Sequence, residues 1–114
     1  MLRMQSQCVR IPLKQGKTQR FLDWIQSVQH REPEMLESMR AEGVTFECMF
    51  LERTETAGDS LVFYMRATDL AEAQRRFALS TLAIDVETRA LIAECWDTER
   101  AALLTPCLEL GSTP

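Results

Sequence analysis

The two strands that the middle of the chain predicts are apolar on both sides, and few architectures can hide such a ribbon. Val44–Arg53 and Ser60–Arg66 are rich in β-branched and aromatic residues, and the polar, glycine-bearing segment Thr54–Asp59 between them reads as a hairpin loop. With that loop centred near Ala57, Met49, Leu51, Leu61, Phe63 and Met65 share one face. Val44, Phe46, Cys48, Phe50, Val62 and Tyr64 share the other. An antiparallel sheet with helices on one side and water on the other alternates apolar with polar residues, and these strands do not alternate. At ~25 cal/mol per Å², leaving Phe46, Phe50 and Val62 in water would forgo several kcal/mol and create an adhesive patch. Something must cover the second face. A second copy of the same sheet, related by a twofold axis, is the economical cover. The alternative is that a long helical stretch, Ser80–Leu104, wraps beneath the sheet within one chain.

The flanking segments supply the other elements. Gln7–Leu13 predicts a strand with Val9, Ile11 and Leu13 on one face and Cys8 and Arg10 on the other, and Pro12 puts that end at a rim. Phe21, Trp24, Ile25 and Val28 lie at helical spacing. Pro33 breaks the helix near Arg31 and Glu32 and starts a second segment to Glu42, with Leu36 and Met39 continuing the apolar side and Gly43 as the stop. Asp69 followed by Glu72 opens a short helix carrying Leu70, Ala73 and Phe77. The Ser80–Leu104 stretch, with a possible restart at Asp85, repeats apolar residues at Val86, Ile92, Cys95, Trp96, Ala102 and Leu103. Leu104–Leu110 reads as a last strand that Pro106 places at an edge. The whole predicts one α+β domain over residues 1–114, with 1–6 and 111–114 as flexible ends. Its order is that of the ferredoxin-like split β-α-β sheet with helices on one face.

Composition excludes several classes. The chain is 46% hydrophobic and 26% charged, an ordinary globular balance, and no apolar run approaches the roughly 18 residues of a membrane helix. The first residues lack the apolar stretch of a secretory signal, so a cytoplasmic location is expected. A net charge of −4 without a basic block argues against nucleic acid and anionic membranes. The four cysteines are scattered and the chain has one histidine, so a zinc site has no closely spaced ligands. Each thiol reads as a small hydrophobe. There is no Gly-rich phosphate loop and no nucleophile elbow. No metal, cofactor or catalytic residue is assigned from the sequence.

Three sets of side chains are candidates for binding. His30 and Glu34 stand four residues apart, although Pro33 between them spoils the spacing and an exposed histidine is the plainer reading. Glu47 shares a strand face with Met49 and Leu51, which aims a carboxylate at apolar company, and such a group either raises its pKa or finds a cation. Arg10, Tyr64 and Arg66 fall on the second face beside Phe46 and Phe50. There, two guanidiniums and a phenol could orient a carboxylate or an enolate, or equally form the polar rim of a dimer interface. Trp24 and Trp96 sit on apolar helical stripes and read as core.

The run Arg40–Val44 leading into Phe46–Leu51, followed by the Leu61–Arg66 strand and Asp69–Leu70, resembles small bacterial proteins of unknown function in the dimeric α/β-barrel superfamily. The resemblance implies two ferredoxin-like sheets packed face to face, hence a homodimer through the face bearing Phe46, Phe50 and Tyr64. It implies little about function, because that superfamily holds cofactor-independent monooxygenases, haem-degrading enzymes, lactone isomerases and proteins of no known chemistry. Its haem-degrading and quinone-forming members commonly place an asparagine in the pocket, and this chain has none. The expectation is a non-enzymatic dimerising or small-ligand-binding domain. The alternative is a cofactor-independent monooxygenase or isomerase for an aromatic or polyketide-like molecule, with Tyr64 and an arginine moving the proton and a cavity of about 300 Å³ or more between helices and sheet.

Overall fold

The computed structural model describes residues 4–113. Four strands, β1 (Gln5–Pro12), β2 (Val44–Glu52), β3 (Ser60–Ala67) and β4 (Ala102–Leu103), form one open antiparallel sheet in the order β2-β3-β1-β4. The helices are α1 (Thr18–Val28), α2 (Glu32–Glu42), α3 (Leu70–Leu79) and α4 (Ala83–Cys95), with a short 3₁₀ turn, Gln29–Arg31, joining α1 to α2. All four helices lie against the same face of the sheet. Ile11 and Leu61 from the strands pack with Phe21 of α1 and with Leu91 and Cys95 of α4, while Val44 and Ala67 pack with Ala73 of α3 and with Met39 of α2.

Local chemistry explains the boundaries. Pro33 sits in the first turn of α2, where its missing N–H costs nothing. Gly43 closes that helix at φ 75°, and a Cβ there would come within 2.8 Å of the Thr68 hydroxyl, so both conformation and space require glycine. Asp69 caps α3 by accepting from the Glu72 N–H at 3.0 Å. β1 begins at Gln5, two residues inside the stretch expected to be a flexible end; residues 1–3 and 114 lie outside the described residues.

The hairpin pairs Glu47 with Met65, Cys48 with Tyr64 and Phe50 with Val62, so its centre is Thr56 rather than Ala57. Because that moves each pairing by two, the faces keep their membership, with one exception. A bulge between Val44 and Phe46 inserts Thr45, and it turns Val44 to the helix side, where it is 6% exposed, instead of leaving it beside Phe46.

The C-terminal third departs most from expectation. α4 ends at Cys95 and does not run to Leu104, because the chain hooks onto the end of β1. Lys14 N–H donates to the Cys95 carbonyl at 2.8 Å, Asp97 N–H donates to the Pro12 carbonyl at 2.8 Å, and Leu13 bridges Trp96. α4 therefore packs among the other helices and does not pass beneath the sheet. The last strand is not Leu104–Leu110 but the two residues of β4, held by Val9 and Arg10; the next ladder bond, Leu104 N–H to the Cys8 carbonyl at 2.9 Å, precedes Pro106, which has no N–H to give. Leu36 and Val86, read as core-facing, are exposed at 39% and 48%. The core-facing positions of α2 are instead Met35, Ser38, Met39 and Glu42, at spacings of three, four and seven.

Candidate functional site

Between the helical layer and the sheet lies a cavity of about 340 Å³. Its floor is the inner face of the sheet, with Val9, Glu47, Met49, Phe63 and Met65. Its walls come from α1 (Trp24, Ile25), α2 (Met35, Ser38, Met39, Glu42), α3 (Gln74, Phe77) and α4 (Asp85, Thr88, Ile92). At one end Phe21, Trp24, Phe63 and Trp96 form a continuous aromatic wall, with centroids 6.3 Å apart for Phe21 and Trp24, 5.9 Å for Phe21 and Trp96, and 6.4 Å for Phe63 and Trp96. The Trp96 indole N–H is buried and has no hydrogen-bond partner among the described residues. Trp96 reaches this position from the turn after α4, not from a helical stripe.

The other end is acidic. Asp85, 3% exposed in the first turn of α4, accepts from the hydroxyls of Ser38 and Ser80, both short bonds. Ser80 in turn accepts from the Leu82 N–H at 3.2 Å. Ser38 Oγ also lies 3.2 Å from Glu42 Oε2. A serine hydroxyl has one proton. It therefore cannot donate to Asp85 and Glu42 at the same moment. Burial first, then the Asp85 charge, push the pKa of Glu42 up to about 7, against the Ser38 hydroxyl, which draws it down. Glu47, on β2 facing the same space, is raised as well, by burial and then by Asp85. Among the described residues no lysine or arginine forms an ion pair with any of the three carboxyls. The described residues also contain no cluster of three or more His, Cys, Asp or Glu arranged to hold a metal ion.

Of the binding candidates named from the sequence, Glu47 faces this cavity; Trp24 and Trp96, read as core, also line it. Arg10, Tyr64 and Arg66 stand together on the opposite face of the sheet. Arg10 donates to Glu52 at 3.2 Å, and Arg66 donates to the Tyr64 hydroxyl at 2.7 Å and lies 5.2 Å over the Phe46 ring. Phe46 and Phe50 beside them are 43% and 63% exposed. A second hollow, of about 380 Å³, lies on that side between Tyr64, Cys8 and the segment Leu104–Glu109, whose Glu109 accepts from the Ser6 hydroxyl at 3.1 Å. His30 is exposed, and Glu34 is engaged by Arg31 at 2.7 Å rather than by His30. The sequence reading missed Ser38, Glu42 and Asp85. For Ser38 and Glu42 the signal was the α2 spacing, where a serine and a glutamate occupy two of the four core-facing positions.

Fold and site together define a small α+β domain with an open four-stranded antiparallel sheet and an internal cavity that is aromatic at one end and acidic at the other. The chain belongs to a family of unknown function, DUF6176, whose model matches residues 4–110. No curated protein matches it in sequence. Among the described residues no helix is long and apolar enough to cross a membrane.

Proposed function

We propose that this protein is a non-enzymatic, cytoplasmic, small-ligand-binding domain of ferredoxin-like topology, which pairs with a second copy through its outer sheet face as a dimeric α/β barrel. The strand order β2-β3-β1-β4, with every helix on one side, supports the topology. The exposure of Phe46 and Phe50, with α4 packed on the far side of the sheet, supports the pairing. The observation that carries the ligand reading is the cavity itself: about 340 Å³, walled largely by aromatic, methionine and aliphatic side chains, with three carboxyls among its few polar groups. Both tryptophans of the chain line it, so an occupant changes intrinsic fluorescence. Titration with 4-phenylbutanol, a neutral amphiphile that does not absorb with indole, is expected to shift tryptophan emission and raise Tm. A flat titration by both readouts refutes the ligand reading. Light scattering during size exclusion tests the pairing, which a monomer at micromolar concentration refutes.

One observation favours the second reading, an isomerase or cofactor-independent monooxygenase for an aromatic or polyketide-like molecule. A carboxyl held at about 7 is matched to general acid–base work near neutrality, and Ser38 links it to Asp85. In this cavity the proton would be moved by Glu42 and Glu47, since Tyr64 and Arg66 face the other way. Under this reading Glu42→Gln abolishes turnover of a found substrate while 4-phenylbutanol still binds.

A further inference from the structure

We infer that the cavity is built for a cation, an ammonium ion on an aryl or alkyl body, and that its acidic end is the head-group site. This rests on the ligand-binding reading above and adds the charge class of the ligand. The lining contains three carboxyls and, among the described residues, no lysine, arginine or histidine. The nearby guanidiniums are committed elsewhere: Arg89 donates to the carbonyls of Phe77 and Ser80 at 2.6 and 2.8 Å, and Arg31 is held by Glu34 and Glu87. At the acidic end a carboxylate or phosphate head would meet three carboxyls and no cationic side chain among the described residues. An ammonium head there meets carboxyl oxygens as acceptors, and the aromatic faces beyond them attract cations.

The spacing suits one short molecule. Glu47 stands in the row of paired residues Gln7, Met65 and Glu47, and Phe63 stands in the next row with Val9 and Met49. Two residues along a strand is about 6.8 Å. A head at Glu47 therefore leaves a phenylalkyl tail lying over Phe63 and against the wall that Trp96 and Phe21 complete. Glu47 itself makes no side-chain hydrogen bond to another described residue, unlike Asp85, and is the acceptor left over for a ligand.

Three probes with one body and three heads separate the possibilities: 4-phenylbutylamine, 4-phenylbutanol and 4-phenylbutyrate, each titrated by calorimetry and by tryptophan emission at pH 8. The amine is expected to bind at least about tenfold more tightly than the butyrate, a difference of ~1.4 kcal/mol, with the alcohol between them. Glu47→Gln should bring the amine down to the level of the alcohol while leaving the alcohol unchanged, which also shows that the variant is folded. Amine affinity should rise between pH 6 and pH 8 as Glu42, facing Glu47 and Asp85 across the cavity, gives up its proton, whereas alcohol affinity should not. Butyrate binding as well as the amine, or an amine preference that survives in both Glu47→Gln and Glu42→Gln, overturns the inference while the alcohol still reports a working pocket. If none of the three binds, the ligand reading fails and the inference fails with it.

Discussion

The two faces of this sheet are built from similar residues and meet opposite fates. On the inner face Leu61, Ile11 and Phe63 are packed under helices, and the space left over is a cavity. On the outer face Phe46, Phe50, Val62 and Tyr64 are equally apolar, yet the described chain lays no helix over them. Hydrophobicity alone therefore does not say which face becomes core. The distinction is made by the polar groups: the inner face carries Glu47, and α2 above it Glu42, both with pKa raised by burial, while the outer face carries arginines that remain paired at the surface with Glu52 and Tyr64. A face that places buried acids within a cavity is suited to holding a ligand. A face with aromatic residues ringed by arginines is suited to meeting another protein surface.

That contrast can be broken most forcefully at Phe21. This ring is 1% exposed beneath α1, and Phe21→Ala is expected to cost about 4 kcal/mol in urea unfolding. A loss under 1 kcal/mol would mean that the inner face is not the core. Glu42→Gln should have the next largest effect, and of opposite sign at high pH. Its carboxyl is held at about 7 against an ordinary 4.5, so the folded state retains a proton that the unfolded chain has released between those values. The stability this confers is full below pH 4.5 and is lost as pH rises through 7. The variant should flatten that slope and exceed the parent by ~2 kcal/mol at pH 8. Equal pH dependence in the two proteins would refute the assignment. The smallest effect is expected on the outer face: Phe50→Ala should change subunit stability by no more than about 0.5 kcal/mol when measured at dilutions that keep copies apart. A cost comparable to that at Phe21 would erase the distinction between the faces.

Much of this was legible in the chain. The hairpin, the break at Pro33, the stop at Gly43 and the cap at Asp69 are local signals, and each lies where its own chemistry puts it. Glu47 was legible as an inward-facing carboxylate because strand alternation is strict over that stretch. Ser38, Glu42 and Asp85 were not, and the reason is physical. A search for apolar stripes passes over a helix whose buried face holds a serine and a glutamate, and it settles on Leu36, which faces solvent. The same bias chose Val86 over Asp85 on α4. Polar residues at core positions break the pattern that locates cores, and they are what gives this cavity its chemistry. The end of α4 was hidden for another reason. Nothing within Ser80–Leu104 announces the stop, because it is imposed by backbone bonds to β1, eighty residues earlier in the chain.

Thr45 has a larger role than its place on an exposed edge suggests. α2 and β2 are separated by one residue, so the rotation of the helix and the pleat of the strand are almost rigidly coupled. The extra residue works as a half-step in a gear train: it lets Glu42 and Val44 engage the interior while Phe46, only two positions on, turns outward. Without it, the helix could seat its acid in the cavity or the strand could present its aromatics to the outside, but one chain could not do both in step.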